Sequence, residues 1–477
     1  MDLADLDATA QAELIRRGAA TPRELVDAAI ARIERHNPEL GAVVTPMYEQ
    51  ARATCDTAAD GPFRGVPILI KDLGATVGGV PQAQGTWPLK RMKYTPAVDS
   101  HLVAALKRAG FVIVGKSNTS ELGIVPAAEP PPWPPTKNPY DLTRGSGGSS
   151  GGSACAVAAG LVPIAHANDG GGSIRIPASC CGLFGLKPSR GRVSLDPGPG
   201  SEATLVAEHV VARSVRDSAA VLDIIAGMRP GDPYTAPTQL SPFLAELTAP
   251  TPRLRIAYAT QHIGVQGGVS DSHPDCVAAV HHTAKLLADL GHHVEAAEIP
   301  ETHDPEFVPR FLTLWFVGVS TRIDELAKLI GRPVTADEVE PLTWTLSELG
   351  RMINAPAYAN AVTWISNQTR AIAKFFTRYD LWLTPTVTSP PMPLGTFSST
   401  PDDPLAGIMN AGDFAPFTAL FNATGQPACS VPLFHNAAGL PIGVQLAAAY
   451  GREDLLLRTA AQLEVVQPFR HLATRHS

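Results

Sequence analysis

The stretch Gly145-Ser-Gly-Gly-Ser-Ser-Gly-Gly-Ser153 decides how this sequence is interpreted, together with a second glycine tract, Asn168-Asp-Gly-Gly-Gly-Ser-Ile-Arg175. Ser149 and Ser173 lie 24 residues apart (173 − 149), and Lys71 lies 78 residues before Ser149 (149 − 71). Serine is a weak nucleophile at neutral pH and needs a base, which a buried lysine can be. Glycine tracts leave backbone N–H groups free to face a developing oxyanion. The pattern predicts a nucleophilic serine that uses a lysine and no histidine.

Three other interpretations of the tracts are weaker. A Ser/Gly stretch is commonly a linker, but Ala154-Cys-Ala-Val-Ala-Ala-Gly-Leu-Val162 follows directly and suits a buried helix. Gly147-Gly-Ser-Ser-Gly151 matches the nucleophile elbow G-x-S-x-G, yet an elbow follows a strand, and the proline-rich segment 130–139 cannot be a central strand. A phosphate-binding loop is disfavoured because no Gly-Lys-Ser/Thr closes either tract. Lys71 taken alone is typical of an exposed lysine at the end of a strand. Only its combination with the two serine tracts favours a role as a base.

Composition narrows the function classes. The 477 residues are 44% hydrophobic and 17% charged, enough for a large core, and the net charge of −7 with no basic block argues against nucleic-acid binding. The acidic N-terminus is unlike a signal peptide, and the longest apolar run, Ala154–Ala165, is too short for a bilayer. Six cysteines without C-x-x-C, including adjacent Cys180 and Cys181, suggest packed thiols. We therefore expect a cytoplasmic protein with no membrane partner.

The fourteen histidines raise the question of a metal site. No H-E-x-x-H occurs, and the pairs His281-His282 and His292-His293 lie in or beside an amphipathic segment with charged neighbours. We expect surface histidines, no metal and no cofactor.

Hydrophobic patterning predicts an α/β fold. Residues 6–36 indicate two helices separated at Gly18–Thr21, where Thr21-Pro-Arg-Glu24 matches a capping box. Further helices are predicted over Ser100–Ala109, Ala154–Leu161 and Cys276–Leu290, and strands over Gly65–Lys71, Phe111–Lys116 and Leu254–Ala259. Strands that alternate with helices favour a largely buried mixed sheet.

Four blocks in order resemble the amidase signature family: Lys71, Gly147–Gly152, Asp169–Arg175 and Gly182-Leu-Phe-Gly-Leu-Lys-Pro188. With C-terminal blocks such as Gly439-Leu-Pro-Ile-Gly-Val-Gln445, the resemblance covers nearly the whole chain. It implies a homodimer of single amidase domains over 1–477, with a large mixed β-sheet core flanked by helices on both faces. The expected parts are an N-terminal helical arm (1–60), a catalytic core (61–200), a variable substrate-side region (201–420) and a C-terminal return to the core (421–470).

The resemblance also implies a role for each site residue. Ser173 would be the nucleophile, Lys71 the base, and Ser149 the bridging serine on a cis peptide bond after Gly148. The oxyanion would be held by backbone N–H groups of Gly170, Gly171, Gly172 and Ser173. The neighbouring polar residues, expected to support the loop rather than touch substrate, are Ser150, Asp169 and Arg175.

Segments such as Leu329-Ile-Gly-Arg-Pro-Val-Thr335 resemble the nylon-oligomer amidases of this family. They imply a small-molecule amide substrate, either a 6-aminohexanoate oligomer or a related apolar, linear or aryl amide. The expected pocket-lining residues are Ile124, Val125, Trp315 and Phe316. The last two would narrow the pocket against a cyclic dimer, unless both pack in a helix core. Two alternatives stay open: a glutaminase subunit of a tRNA-dependent amidotransferase, and a catalytically silent binding protein on the same fold.

Overall fold

A computed structural model describes residues 3–198, 204–299 and 304–472. The helices are α1 (Ala8–Arg16), α2 (Pro22–Leu40), α3 (Tyr48–Thr54), α4 (Trp87–Met92), α5 (His101–Arg108), α6 (Gly151–Ala158), α7 (Arg175–Cys180), α8 (Val215–Ile225), α9 (Phe243–Glu246), α10 (Pro274–Asp289), α11 (Phe307–Ile330), α12 (Pro341–Met352), α13 (Ala355–Phe375), α14 (Ala406–Phe414), α15 (Ala419–Thr424) and α16 (Glu453–Val466).

The strands are β1 (Val43–Pro46), β2 (Pro67–Lys71), β3 (Val112–Ser117), β4 (Lys137–Asn138), β5 (Asp141–Gly145), β6 (Ile164–Asp169), β7 (Phe184–Lys187), β8 (Ala207–Ala212), β9 (Arg255–Tyr258), β10 (Gln261–Ile263), β11 (Val269–Asp271), β12 (His293–Ala296), β13 (Leu381–Pro385), β14 (Ala428–His435) and β15 (Pro441–Ala448). Eleven of them form one sheet in the order β1-β3-β2-β6-β8-β7-β14-β15-β13-β9-β12, and β4/β5 and β10/β11 form two small hairpins. In the large sheet β2 pairs in parallel with β3 and β6, whereas β6/β8 and β14/β15 are antiparallel, so the sheet is mixed as expected.

Helices cover both faces of this sheet because the strand side chains alternate between two apolar clusters. In β2, Ile68 and Ile70 belong to a cluster with residues of α5, α8, α10 and α16. Leu69, between them, belongs to a second cluster with residues of α2 and α6. Each face of β2 is therefore dry, as the continuous apolar sequence of this strand requires.

The local signals place the element boundaries well. Thr21 and Glu24 form the predicted capping box at the start of α2, and Ser100 caps α5 by accepting a hydrogen bond from the N–H of Val103. Each predicted helix and strand is present, with ends shifted by up to four residues. The helix predicted over Ala154–Leu161 begins three residues earlier, at Gly151, inside the first glycine tract.

Two parts of the expected domain plan need correction. The N-terminal arm, residues 1–60, is not only helical, because its strand β1 forms one edge of the large sheet beside β3. The region 201–420 is not only substrate-side, since it supplies strands β8, β9, β12 and β13 of the same sheet. The division proposed between residues 200 and 201 lies outside the described residues.

Candidate active site

The site lies where two parallel neighbours in the sheet end. Strand β2 pairs with β6 through Ile68–Ile164 and Leu69–Ala165, so the ends of these strands lie side by side. Lys71 is the last residue of β2, and Asn168 and Asp169 are the last residues of β6. Parallel strands bring side chains from their carboxyl ends to one edge of the sheet, which is where open α/β sheets place their ligand sites.

Lys71 is fully buried at this edge. Its Nζ lies 2.7 Å from the hydroxyl oxygen of Ser149 and 2.6 Å from the amide oxygen of Asn168. Burial lowers the pKa of the Lys71 amine from its ordinary value to about 7, although the carboxylates of Glu208 and Asp169 act in the opposite direction. A substantial fraction of the amine is therefore neutral near pH 7, as a base must be.

Ser149 lies just before α6, and its peptide bond with Gly148 is cis, as the sequence resemblance implied. Gly148 has no room for a side chain, because a Cβ there would lie 2.1 Å from the carbonyl oxygen of Ala127. Ser150 does not face the lysine. Its hydroxyl donates instead to the backbone carbonyl of Asn168 at 3.2 Å, which ties the first glycine tract to the end of β6.

The second glycine tract is held by a buried ion pair. Asp169 and Arg175 are both solvent-inaccessible and make two hydrogen bonds of 3.0 Å with each other. Burial opposes ionisation of Asp169, but the charge and hydrogen bonds of Arg175 lower the pKa of this carboxyl to about 2. Asn422 donates to both the backbone and the carboxylate of Asp169, and Thr418 donates to the carbonyl of Gly171 at 2.6 Å. The loop is thereby fixed before any substrate arrives.

This arrangement corrects one expected oxyanion donor. The N–H of Gly172 donates to the Asp169 carboxylate at 2.7 Å and is therefore committed to the loop. The N–H groups of Gly170, Gly171 and Ser173 have no protein acceptor in the part of the chain that the structure describes. These three residues line the cavities described next, so they remain the candidate donors.

Two cavities meet at Ser173. The first, here called the aromatic cavity, has a volume of ≈ 140 Å³ and is lined by Phe307, Phe311 and Trp382 among others. The second, here called the Ser149 cavity, has a volume of ≈ 190 Å³ and includes Ser149 in its wall. Both are lined mainly by apolar side chains, which suits an organic ligand with aliphatic or aromatic flanks.

The expected pocket residues are partly found there. Ile124 and Trp315 line both cavities, and Val125 lines the aromatic cavity. Phe316 lines neither cavity and packs against the apolar cluster that includes Leu342 of α12. Trp315 packs against the same cluster, but consecutive residues on a helix point about 100° apart, and of the two only Trp315 also lines the cavities.

Three residues around Lys71 were not predicted from the sequence. Asn168 accepts a hydrogen bond from the lysine amine and donates one to Glu208. His166 accepts a hydrogen bond from the backbone N–H of Lys71 at 3.2 Å. The carboxylate of Glu208 contacts the ring of His166. His166 and Asn168 alternate with alanines along β6, which indicates one face of a strand. Glu208 comes from β8, and no sequence signal pairs that strand with β6.

The structure also bears on metal ligands, thiols and membrane-spanning helices. No group of three His, Cys, Asp or Glu side chains able to hold a metal ion occurs among residues 3–198, 204–299 and 304–472. All six cysteines are buried and unpaired, and burial raises the pKa of the Cys180 thiol to about 12. Within the same ranges, no helix has the length and hydropathy needed to cross a bilayer.

Comparison with known proteins assigns the family. The Amidase family model matches residues 24–457. The chain is 41% identical, over 474 residues, to the 6-aminohexanoate-cyclic-dimer hydrolase of Pseudomonas sp. (strain NK87), with 97% of this chain and 95% of that protein covered. A solved 6-aminohexanoate cyclic dimer hydrolase in complex with substrate superposes with a TM-score of 0.94 at 40% identity, covering 98% of both chains. A bacterial aryl acylamidase of the amidase signature family superposes with a TM-score of 0.86 at 25% identity, covering 97% of this chain and 96% of that one. The chain therefore belongs to the amidase signature family and is an amide-hydrolysing enzyme.

Proposed function

We propose that this enzyme hydrolyses small amides of the 6-aminohexanoate type with Ser173 as nucleophile, Ser149 as proton carrier and Lys71 as base. The observation that carries the proposal is the 2.7 Å contact between the Lys71 amine, whose pKa is lowered to about 7 by burial, and the Ser149 hydroxyl. Ser149 and Ser173 line the same cavity, so one substrate can reach both hydroxyls.

Acylation moves one proton through this chain of groups. Neutral Lys71 accepts the proton of Ser149, and Ser149 accepts that of Ser173 as the Ser173 oxygen bonds to the substrate carbonyl carbon. The carbonyl oxygen becomes an oxyanion that the free N–H groups of the glycine tract stabilise. Ser149 then donates a proton to the departing nitrogen and recovers one from Lys71, since an amide anion does not leave unprotonated. The C–N bond breaks, and the acyl group remains on Ser173.

Deacylation repeats these steps with water in place of Ser173. Lys71, through Ser149, accepts a proton from the attacking water, whose oxygen bonds to the acyl carbon. The bond to Ser173 then breaks, and Ser173 takes the proton back. The products are the carboxylic acid and the amine, and the three side chains return to their initial protonation states.

The substrate class rests on the cavity walls and on the relatives. Both cavities have mainly aliphatic and aromatic walls, which favour an amide with apolar flanks over glutamine, the substrate of an amidotransferase glutaminase. The 6-aminohexanoate cyclic dimer hydrolases, at 40–41% identity, act on an amide with five-methylene segments. The presence of Lys71, Ser149 and Ser173 in one site argues against a silent binding protein.

A covalent probe tests the nucleophile. We expect a fluorophosphonate to label Ser173 alone and to abolish amide hydrolysis, and we expect Ser173→Ala to remove both the labelling and the activity. The modified residue is identified by peptide mapping with mass spectrometry. An adduct on Ser149, or hydrolysis that persists in Ser173→Ala, would contradict the assignment.

We also propose that the enzyme is a cytoplasmic homodimer, the location from the sequence composition and the dimer from the family resemblance. Light scattering coupled to size-exclusion chromatography tests the dimer, and cell fractionation tests the location.

A further inference from the structure

Trp315 stands at the junction of the two cavities. It lines both of them, together with Gly123, Ile124 and Ser173. Its indole lies over the glycine tract, with ring carbons 3.7 Å from a Cβ placed on Gly170 or on Gly171. Phe311, one helical turn earlier, stacks on the indole at a centroid distance of 5.5 Å. The ring therefore separates two spaces that communicate at the nucleophile.

The position of Ser149 distinguishes the two halves of a bound amide. A group that protonates the leaving nitrogen must come within hydrogen-bond reach of it. Ser149 lines only the Ser149 cavity, whereas Ser173 lines both cavities. A leaving amine in the Ser149 cavity, with the acyl chain in the aromatic cavity, meets this requirement.

The two cavities differ in charge. Among the described lining residues, Arg322 is the only charged side chain of the Ser149 cavity, and Thr321 and Tyr358 add hydroxyl groups beside it. In the aromatic cavity the only carboxylate or cationic side chain described is Asp304, and burial lowers the pKa of His262 there, which keeps its ring neutral. Glu325, which pairs with Arg322, does not line the Ser149 cavity, so the charge that the described residues present to this cavity is that of the arginine, whereas the aromatic cavity presents a carboxylate.

Arg322 is suitably placed for the far end of an amine. It follows Trp315 by seven residues on α11, which is two helical turns or about 10 Å along the axis. Its guanidinium is partly buried and contacts Glu325 at 3.5 Å. Ser173 and Arg322 line the same cavity, so a chain that extends from the nucleophile through this cavity runs along a wall that includes the arginine.

We propose that the Ser149 cavity recognises a free carboxylate at the far end of the leaving amine, with Arg322 as the specificity-determining residue. The substrate class is open-chain amides of ω-amino carboxylic acids. This inference rests on the proposed function, because it takes Ser149 as the proton donor to the leaving nitrogen.

Three matched amides test it. N-hexanoyl-6-aminohexanoate carries the carboxylate on the amine half, N-hexanoyl-hexylamine carries none, and N-hexyl-adipamate carries it on the acyl half. For the wild-type enzyme we expect kcat/KM to be about tenfold or more higher for the first than for the second, as a charge-assisted hydrogen bond gives. N-hexyl-adipamate should have the lowest kcat/KM of the three amides. Release of the amine, measured after derivatisation, gives the rates.

Variants of Arg322 complete the test. In Arg322→Gln the ratio of kcat/KM for the first two amides should fall close to one, and Arg322→Lys should retain part of the preference because it keeps the charge. Since each ratio is measured within one protein, a loss of folded enzyme does not affect it. Equal rates for the first two amides in the wild type, or a preference for the adipamate, would overturn the inference alone. If no amide of any kind is hydrolysed, the proposed function itself fails.

Discussion

The amine of Lys71 and the hydroxyl of Ser149 face each other across 2.7 Å, and both side chains are almost inaccessible to solvent. The relationship depends on the fold, because Lys71 ends a strand that is buried on both faces while Ser149 precedes a helix packed on the same sheet. Burial disfavours the ammonium, and the neutral amine is the form that accepts a proton. The burial that destabilises the charged form of Lys71 therefore also makes this side chain able to act as a base.

The first prediction concerns pH. Because the neutral amine is the active form and the Lys71 pKa is lowered to about 7, kcat/KM should rise about tenfold per pH unit below pH 7 and level off above it. Initial rates between pH 5 and 9 give the profile. A rate that is flat through this range, or that falls as pH rises through 7, would show that another group is the base.

The second prediction isolates the lysine amine. Lys71→Met should lower kcat/KM by roughly 10²–10⁴ without loss of folded protein, because the side chain keeps its length and a buried amine is removed. Lys187→Met is the matched control. Lys187 is also fully buried, with its pKa lowered to about 7 by burial, but it lines neither cavity. Circular dichroism monitors folding, and a similar loss of rate in both variants would point to a structural effect.

The third prediction ranks the two serines. Ser173→Ala should abolish turnover, whereas Ser149→Ala should retain a small residual rate because a water can bridge Lys71 and Ser173. Steady-state assays at high enzyme concentration measure both variants. Equal residual rates would mean that Ser149 does not mediate the proton transfer.

Much of this site is predictable from sequence because it is local. The glycine tracts, the apolar strand before Lys71 and the capping signal at Thr21 are each encoded within a few residues, and the structure has them as expected. The contacts of Asn168 with Glu208 join β6 to β8, 40 residues later in the chain, through strand pairing that no local pattern specifies. The commitment of the Gly172 N–H to Asp169 likewise depends on the course of the loop in three dimensions.

The fourth prediction concerns the Asp169–Arg175 ion pair. Asp169→Asn leaves the Arg175 guanidinium buried without its counter-charge, which should lower the free energy of unfolding by roughly 3–5 kcal/mol. It should also reduce kcat, since Asp169 fixes the tract that carries the oxyanion donors. Urea denaturation measures the stability.

The control for this prediction is Asp324→Asn, which breaks a solvent-exposed pair with Arg351 and should cost at most about 1 kcal/mol.

The Asp169 carboxyl has its pKa lowered to about 2, below its usual value, so the stability that it contributes is present at neutral pH. That contribution should be lost as the pH falls through about 2. A stable, fully active Asp169→Asn enzyme would contradict this account of the loop.

The fifth prediction concerns the indole of Trp315. A cyclic dimer brings both halves of its ring to the junction where the indole separates the two cavities, whereas an open chain needs to place only one arm in each cavity. Trp315→Ala joins the cavities and should raise the ratio of kcat/KM for the 6-aminohexanoate cyclic dimer over N-hexanoyl-hexylamine by about tenfold, the usual scale of a steric discrimination. Phe316→Leu, which alters the neighbouring aromatic residue outside both cavities, should leave the ratio unchanged. Liquid chromatography of the products of both substrates gives the ratio. A wild-type enzyme that hydrolyses the cyclic dimer faster than Trp315→Ala does would show that the indole supports the cyclic ligand instead of excluding it.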